Sequence, residues 1–390
     1  MGDKFSSVLS YAHRNSEIPF ILNSLRKVMF INNINPLKPS SLFRKIKSKI
    51  ILIILVVTIQ LLIISHCNIN VTEGYIESSN WTKVESGVNN RLYDIDFPDE
   101  QNGWVVGDSG IILNSKNGGE SWNLQNCPTE DILFAVDFID NKNGWICSRN
   151  SILKTSNGGE TWKIKYSENL GEGHFRDLQF LDKNNGFVVG GKGSFGSIGV
   201  LLKTEDGGET WQDVTPQSSN TLTSISVVDK QNIWICGFGG TILYTIDMGL
   251  TWTKKNLDIS PSPYLTTIQF VDQYNGWTSS RDDWLGFFRT TDSGNTWIQR
   301  SEESLSIFGV RTFFFIDRLN GWLGTFPGAG PYAIAQTTDG GQGWKFLPED
   351  INARDISSFS FINKELGWAV GLQIANTNAE GVILCYRTIK

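Results

Sequence analysis

Six short side chains with an oxygen to offer recur in one local setting: Asn117, Asn157, Asp206, Asp247, Asp292 and Asp339, each followed two residues on by glycine and five residues on by tryptophan. Carboxylates in such number invite an acid–base or nucleophilic role of the kind a pair of aspartates plays in glycoside hydrolysis. Two of the six are asparagine, which does not ionise. A residue repeated in every unit of a chain is there for the unit, and a short Asp or Asn oxygen that accepts nearby backbone N–H groups holds a turn. Chemistry must therefore be sought among unrepeated residues. At the starts of candidate inner strands these are Arg91, His174, Arg176, Arg311 and Arg354, and in the matching loops Arg149, Lys192, Arg281, Asp282, Asp283 and Trp284. His174 is the only histidine after residue 66, which argues against a multi-histidine metal site and weakens Ser-His catalysis. Asp282 or Asp283 together with Asp94 or Asp177 would make a two-carboxylate glycosidase, a choice that turns on their separation. Gly190–Gly196 looks like a phosphate loop but joins two strands and opens no helix. These observations predict neither enzyme nor cofactor, and leave a binding role.

The elements that must position these residues are repeats. From residue 91 one phrase occurs seven times, beginning with Phe97 to Trp104 and Phe138 to Trp145. It recurs as Phe180 to Phe187, Val227 to Trp234, Phe270 to Trp277, Phe315 to Trp322 and Phe361 to Trp368, at intervals of 41, 42, 47, 43, 45 and 46 residues. Such periods suit four-stranded propeller blades. An alternating run such as Leu92 to Phe97 reads as an inner strand, and the following Asp-x-x-Asn-Gly segment as a turn whose glycine supplies left-handed backbone. Trp-Val-Val-Gly is then a second strand and Ile111 to Ser115 a third.

A second phrase closes each of the first six units, from Ser115–Trp122 to Thr337–Trp344. This is the Asp-box, or BNR, pattern, whose glycines permit a tight bend and whose tryptophan is expected to wedge between blades. Asp-boxes were named in sialidases, but the Arg-Ile-Pro segment of those enzymes is absent here. The seventh unit stops after its third strand, Gly381–Ile389, while Trp81-Thr-Lys-Val near the start looks like the missing fourth. The sequence thus predicts an all-β fold: a seven-bladed β-propeller of four-stranded blades, closed by pairing of its N- and C-terminal strands and preceded by an N-terminal hydrophobic segment.

The expected organisation is a basic cytoplasmic or leader segment over 1–49, a hydrophobic signal or anchor over 50–66, a linker over 67–78 and the propeller over 79–390. Residues 1–49 hold nine Lys or Arg against two acids, and Ile50 to Ile64 is apolar apart from Thr58 and Gln60. The basic flank should stay in the cytoplasm, leaving the propeller extracytoplasmic in a periplasm, a lumen or at a cell surface. Fifteen helical residues reach only ~22 Å of the ~30 Å hydrocarbon core, which suits an export signal or a marginal anchor, and membrane association through 50–66 if it is not cleaved. His66 stands where a lipoprotein cleavage site wants a small residue, which disfavours lipidation of Cys67. The five cysteines show no CxxC spacing, and Cys147 and Cys236, each after Trp-Ile, read as small buried hydrophobes. With the basic leader set aside, the remainder is acidic and repels phosphate backbones, so nucleic acid is not an expected partner.

Over about residues 75 to 390 the paired phrases resemble those of the photosystem II stability and assembly factor family, which share F-x-D-x-x-x-G-W and T-x-D-G-G-x-T-W. The chain departs from them at Ile233, Asn363 and Gly343. The resemblance implies a seven-bladed propeller, exported, that chaperones photosystem II reaction-centre polypeptides without catalysing a reaction. It also implies a client-binding arginine face, for which Arg91, Arg176, Arg311, Arg354 and Arg281 are the candidates, with Trp284 beside them. The expected partner is a protein or peptide client, possible in principle beside a glycan stacked on Trp284 and Tyr332.

Overall fold

The computed structural model describes residues 80–388 apart from 195–196, 218, 256, 258, 260–261, 282–285, 301–309, 326–332, 348–352, 354 and 376–377. The leader, the hydrophobic segment, Cys67 and the linker up to residue 79 lie outside the described residues. Seven four-stranded antiparallel sheets follow one another, each numbered inside to outside in chain order. The inner strands are Leu92–Asp96, Leu133–Phe138, His174–Phe180, Leu222–Asp229, Leu265–Phe270, Val310–Phe315 and Asp355–Asn363. We number the blades one to seven in that order.

The ring closes as the termini require. Trp81–Glu85 pairs antiparallel with Asn378–Arg387, Trp81 opposite Tyr386 and Glu85 opposite Val382, so blade seven takes its outer strand from the start of the propeller. This pairing covers the edge of Asn378–Arg387 and joins the two ends of the propeller within one sheet.

The blades are held together by the repeated aromatics. Each Trp of the Gly-Trp pair is almost fully buried and stacks face to face on the inner-strand Phe of the next blade: Trp104 on Phe138 at 3.6 Å, Trp145 on Phe180 at 3.6 Å, Trp368 back on Phe97 at 3.5 Å. The indole N–H reaches further, donating to the first glycine carbonyl of the next blade's Asp-box, as from Trp145 to Gly207 at 2.9 Å and from Trp368 to Gly118 at 3.1 Å. Trp234 and Trp322 lack such an acceptor. The box ahead of Trp234 carries Ser293 in that glycine's place, and blade seven, ahead of Trp322, ends without a box. The box tryptophans are the less buried series: Trp122 meets Phe97 of its own blade edge-on at 5.8 Å and also touches the apolar side chains of blade seven.

The boxes themselves behave as turn staples. Asp206 Oδ1 accepts the Thr210 N–H at 2.9 Å, and its other oxygen accepts the Thr210 hydroxyl at 2.6 Å. Asn117 and Asn157 do the same through their amide oxygens, each accepting the backbone N–H four residues on at 3.1 Å. Asp247, Asp292 and Asp339 repeat the bond at 2.9, 2.9 and 3.0 Å. The box glycines are left-handed, Gly208 at φ 83° and Gly341 at φ 84°.

The glycine before the Trp works otherwise than the sequence led us to expect. It is not left-handed; a Cβ on Gly144 would lie 2.4 Å from the Phe138 ring, and one on Gly103 2.2 Å from Phe97. The turn is made instead by Asp99, Asp140 and their counterparts, whose carboxylates accept two successive N–H groups. Glycine is needed there to let the ring lie flat against the strand. Blade four shows the compensation, since Val227 replaces the Phe and Ile233 replaces the Gly, opposite one another in the pairing.

Candidate functional site

The inner strands carry a second kind of interblade link. Asp96 Oδ2 accepts the Phe138 N–H at 2.7 Å, Asp137 the Phe180 N–H at 2.7 Å, Gln179 the Val227 N–H at 2.7 Å, and Ser226 the Phe270 N–H at 2.9 Å. Gln269 clasps Phe315 and Ser360 clasps Phe97 in the same way. A second tier lies beside the first, with Asp94 Oδ2 bonded to Val136 N at 2.8 Å and Asp177 Oδ2 to Ile225 N at 2.9 Å. Asp94, Asp137, Asp177, Gln179, Ser226 and Gln269 line an axial cavity of about 370 Å³ to which all seven inner strands contribute. Burial pushes the carboxyls of Asp94 and Asp96 up to about 7 and that of Asp177 to about 6, against the bonds that lower them. Asp137 is raised well above its ordinary value by burial and then by Asp96. Asp94 and Asp177, the acids of the conceivable hydrolase, are thus clasps between blades. Among the described residues no group of His, Cys, Asp or Glu is arranged to hold a metal ion. Cys147, Cys236 and Cys385 are buried and free, as packing residues are.

The described candidate binding residues, Arg91, Arg176, Arg281 and Arg311, lie at the end of the blades where inner strands begin and second strands finish, and Arg176 lines the cavity. Backbone bonds tie these together: Asp108 N to Arg91 O at 3.0 Å, and Arg281 N to Tyr264 O at 3.0 Å. Arg91 and Arg311 come from blades one and six to a common partner that sequence reading had passed over. Asp355, with no surface exposed, sits between them at the head of blade seven. Arg91 Nη2 donates to its Oδ2, and Arg311 Nε stands 3.0 Å from its Oδ1. Burial raises the Asp355 carboxyl and the two guanidiniums oppose that shift. These two arginines, which the sequence offered as client-binding candidates, are here ion-pair partners of a buried carboxylate.

Arg176 is placed differently. Its guanidinium lies 5.3 Å over the Phe238 ring, its Nε has no acceptor, and no carboxylate stands within ion-pair distance among the described residues. Burial, and then the neighbouring charge of Arg281, lower it to about 10. Arg281 is exposed, and its charge is felt at Arg311 as well. Lys192 is engaged elsewhere, 3.6 Å from both Glu168 and Asp213. Arg354, Trp284, Asp282, Asp283 and Tyr332 lie outside the described residues.

Between the arginines runs an aromatic arc that sequence reading missed. Tyr93 lies under Arg91 at 5.3 Å, Phe134 meets Tyr93 at 5.6 Å, and His174 stacks on Phe134 at 4.4 Å. Burial, then Arg176 and Arg149, lower His174 to about 4, so its ring is neutral. The signal was there. Tyr93, Phe134, Arg176 and Arg311 occupy one repeat position that is Thr223, Thr266 and Ser357 in the other blades.

Comparison with known proteins places this geometry. The family model for the photosynthesis system II assembly factor YCF48 matches residues 74–172, 120–215 and 169–263. The photosystem II assembly lipoprotein Ycf48 of Prochlorococcus marinus (strain MIT 9312) is 26% identical over 259 residues, 54% of this chain and 73% of that protein. A solved structure described as YCF48 bound to D1 peptide superposes with a TM-score of 0.64 at 18% identity, covering 81% of this chain and 99% of that one. The virginiamycin B lyase of Staphylococcus aureus shares the fold as well, with a TM-score of 0.62 at 13% identity over 79% of this chain and 99% of the lyase. Architecture alone thus serves binding proteins and enzymes alike. The repeated phrases, the matched model and the curated relative together assign the chain to the photosystem II stability and assembly factor family.

Proposed function

We propose that this chain is a non-enzymatic scaffold that captures a polypeptide client at the arginine-rimmed mouth of its axial cavity, in the assembly of photosystem II membrane polypeptides and on the extracytoplasmic side. The observation that carries the reading is Arg176: a guanidinium largely taken out of water, beside the like charge of Arg281, with no anion within ion-pair distance among the described residues. Such a group favours an acidic client segment, and the local positive field on an otherwise acidic body speeds encounter with one. The aromatic rims offer the apolar contact that protein interfaces use at their centres. The engagement of Asp94 and Asp177 in interblade bonds supports a scaffold over a hydrolase.

The test is capture of a D1 peptide by the purified propeller and by the Arg176→Glu/Arg281→Glu double variant. Arg176 and Arg281 are chosen over Arg311 because the latter holds Asp355. The double variant should lose capture with its melting temperature nearly unchanged, and capture by the parent should weaken as salt rises. Undiminished capture by the double variant, or turnover of a sialoside or glucan, would sink the proposal.

A further inference from the structure

The arginines of the mouth are unequal in what they have left to offer. Asp355 already receives Arg91 and Arg311, so the protein itself shows one carboxylate held between guanidiniums at this end of the ring. Arg176 has no such partner among the described residues, and its side chain lies in the wall of the axial cavity. Its fork is held by the face of Phe238, which in turn packs edge-on against Tyr264 at 4.9 Å. A guanidinium fixed in this way is preorganised for a planar carboxylate.

The neighbouring wall has the opposite character. Tyr93 and Phe134 line the cavity and His174 extends them, giving three half-buried rings in contact, at 5.6 and 4.4 Å. Because His174 is neutral, the arc adds no charge and presents apolar ring surface beside Arg176. The floor of the cavity is acidic, with Asp94, Asp137 and Asp177 facing into it. A carboxylate is welcome at the rim, while the cavity's lining offers no second cation deeper in.

We propose that the mouth is a two-part receptor for a peptide carboxylate flanked by an apolar side chain, with Arg176 holding the carboxylate and the arc of Tyr93, Phe134 and His174 taking the neighbouring side chain. The inference rests on the reading that the mouth is the client face, and adds which chemistry on the client it recognises. Two sources supply a carboxylate, a chain terminus or an internal acidic side chain, and the acidic floor favours one charge over a run of several.

Three synthetic peptides of one apolar sequence separate the cases: one with a free C-terminal carboxylate after phenylalanine, its carboxamide, and a carboxamide carrying glutamate before phenylalanine. Calorimetric titration of the whole propeller should show the first or the third binding well above the carboxamide, and whichever arm binds names the source. Arg176→Gln should weaken that binding by about thirty-fold or more, because a carboxylate left facing no cation costs as much as a severed ion pair. Arg176→Lys should restore part of it without altering the melting temperature, which separates recognition from folding. Phe134→Ala should erase any preference for phenylalanine over serine beside the carboxylate while the carboxylate stays necessary. Binding by Arg176→Gln within about twofold of the parent, or a preference that survives Phe134→Ala, overturns the inference. If none of the three peptides binds yet the D1 peptide is captured, the two-part receptor fails and the scaffold reading stands; if the D1 peptide is not captured either, the scaffold reading fails first.

Discussion

Replacing Asp96 by asparagine should stabilise the propeller above neutral pH and leave it unchanged in acid. The amide oxygen of asparagine accepts the Phe138 N–H that Asp96 Oδ2 now accepts at 2.7 Å, and Gln179 and Gln269 already do this duty with amides at the same position in blades three and five. What the change removes is charge. Burial raises the Asp96 carboxyl from 3.8 to about 7, so the folded state holds its proton more tightly than the unfolded chain does. The sign follows: stability from this group is fully present below the unfolded value and is lost as pH rises through the folded one. At 1.36 kcal/mol per pH unit the displacement sets a ceiling of about 4 kcal/mol above pH 7. Asp96 keeps part of its surface exposed, which recovers some of that, and we expect a gain of about 2 kcal/mol. At roughly 2 °C per kcal/mol for a chain of this size, the melting temperature should rise by about 4 °C near pH 8. The gain should shrink steadily below pH 7 and vanish near pH 4, where aspartic acid is neutral in both states. Calorimetric scans of parent and variant across that range measure it directly. A gain of equal size in acid, or a loss near pH 8, would refute the argument that charge rather than shape is at stake.

Asp355→Ala should cost about 3 kcal/mol or more, since it leaves Arg91 and Arg311 facing one another without an anion, and chemical denaturation will show it. Gly144→Ala should cost about 1–3 kcal/mol in the same measurement because its methyl would press into the Phe138 ring, although its backbone is not left-handed. Ser293→Gly should raise stability by about 0.5–1 kcal/mol, because Ser293 holds φ 60° at a box position where Gly118, Gly158, Gly207 and Gly340 sit without strain. Deleting residues 382–390 should lower the melting temperature of the whole propeller, since Val382 to Tyr386 pair with Trp81–Glu85 on one side and with Leu366–Ala375 on the other, and an unchanged melting temperature would contradict the ring closure.

The blades, their number and the closure were legible because each is written in local turn chemistry that repeats. An Asp-box can be recognised from eight residues, since the atoms it bonds lie within four residues of one another. The mouth was half legible for the opposite reason. Arg91 and Asp355 lie 264 residues apart, and nothing near either residue announces the other. Tyr93 and Phe134 passed as ordinary strand residues, since in an alternating strand an aromatic at a half-buried position is unremarkable. The turn glycine was read by habit as a left-handed residue, whereas its reason is a ring six residues earlier, as with Gly103 and Phe97.

The repeat nonetheless explains why the site falls where it does. Along each inner strand most positions have a structural duty that every blade must meet. The last, Phe97 and its counterparts in every blade but the fourth, stacks on the preceding blade's tryptophan. The one before it clasps the next blade, as Asp96, Asp137, Gln179, Ser226, Gln269 and Ser360 do. Blade six departs from this rule with Phe314, which packs on Phe361 at 5.5 Å, at the seam where the aromatic cluster of Trp81, Trp322, Phe359 and Tyr386 supplies cohesion of another kind. Only the first residues of the strands escape such duties, because there the sheet gives way to the open end of the ring. They are free to differ from blade to blade, and a ring whose blades differ at one end alone can present seven unlike side chains around a single opening. Tyr93, Phe134, Arg176 and Arg311 share one such position with Thr223, Thr266 and Ser357, so charged, aromatic and small polar side chains alternate there. A binding face built there draws on positions that the interblade stacking and clasping leave open, and Arg176, without an ion-pair partner among the described residues, stands at one of them.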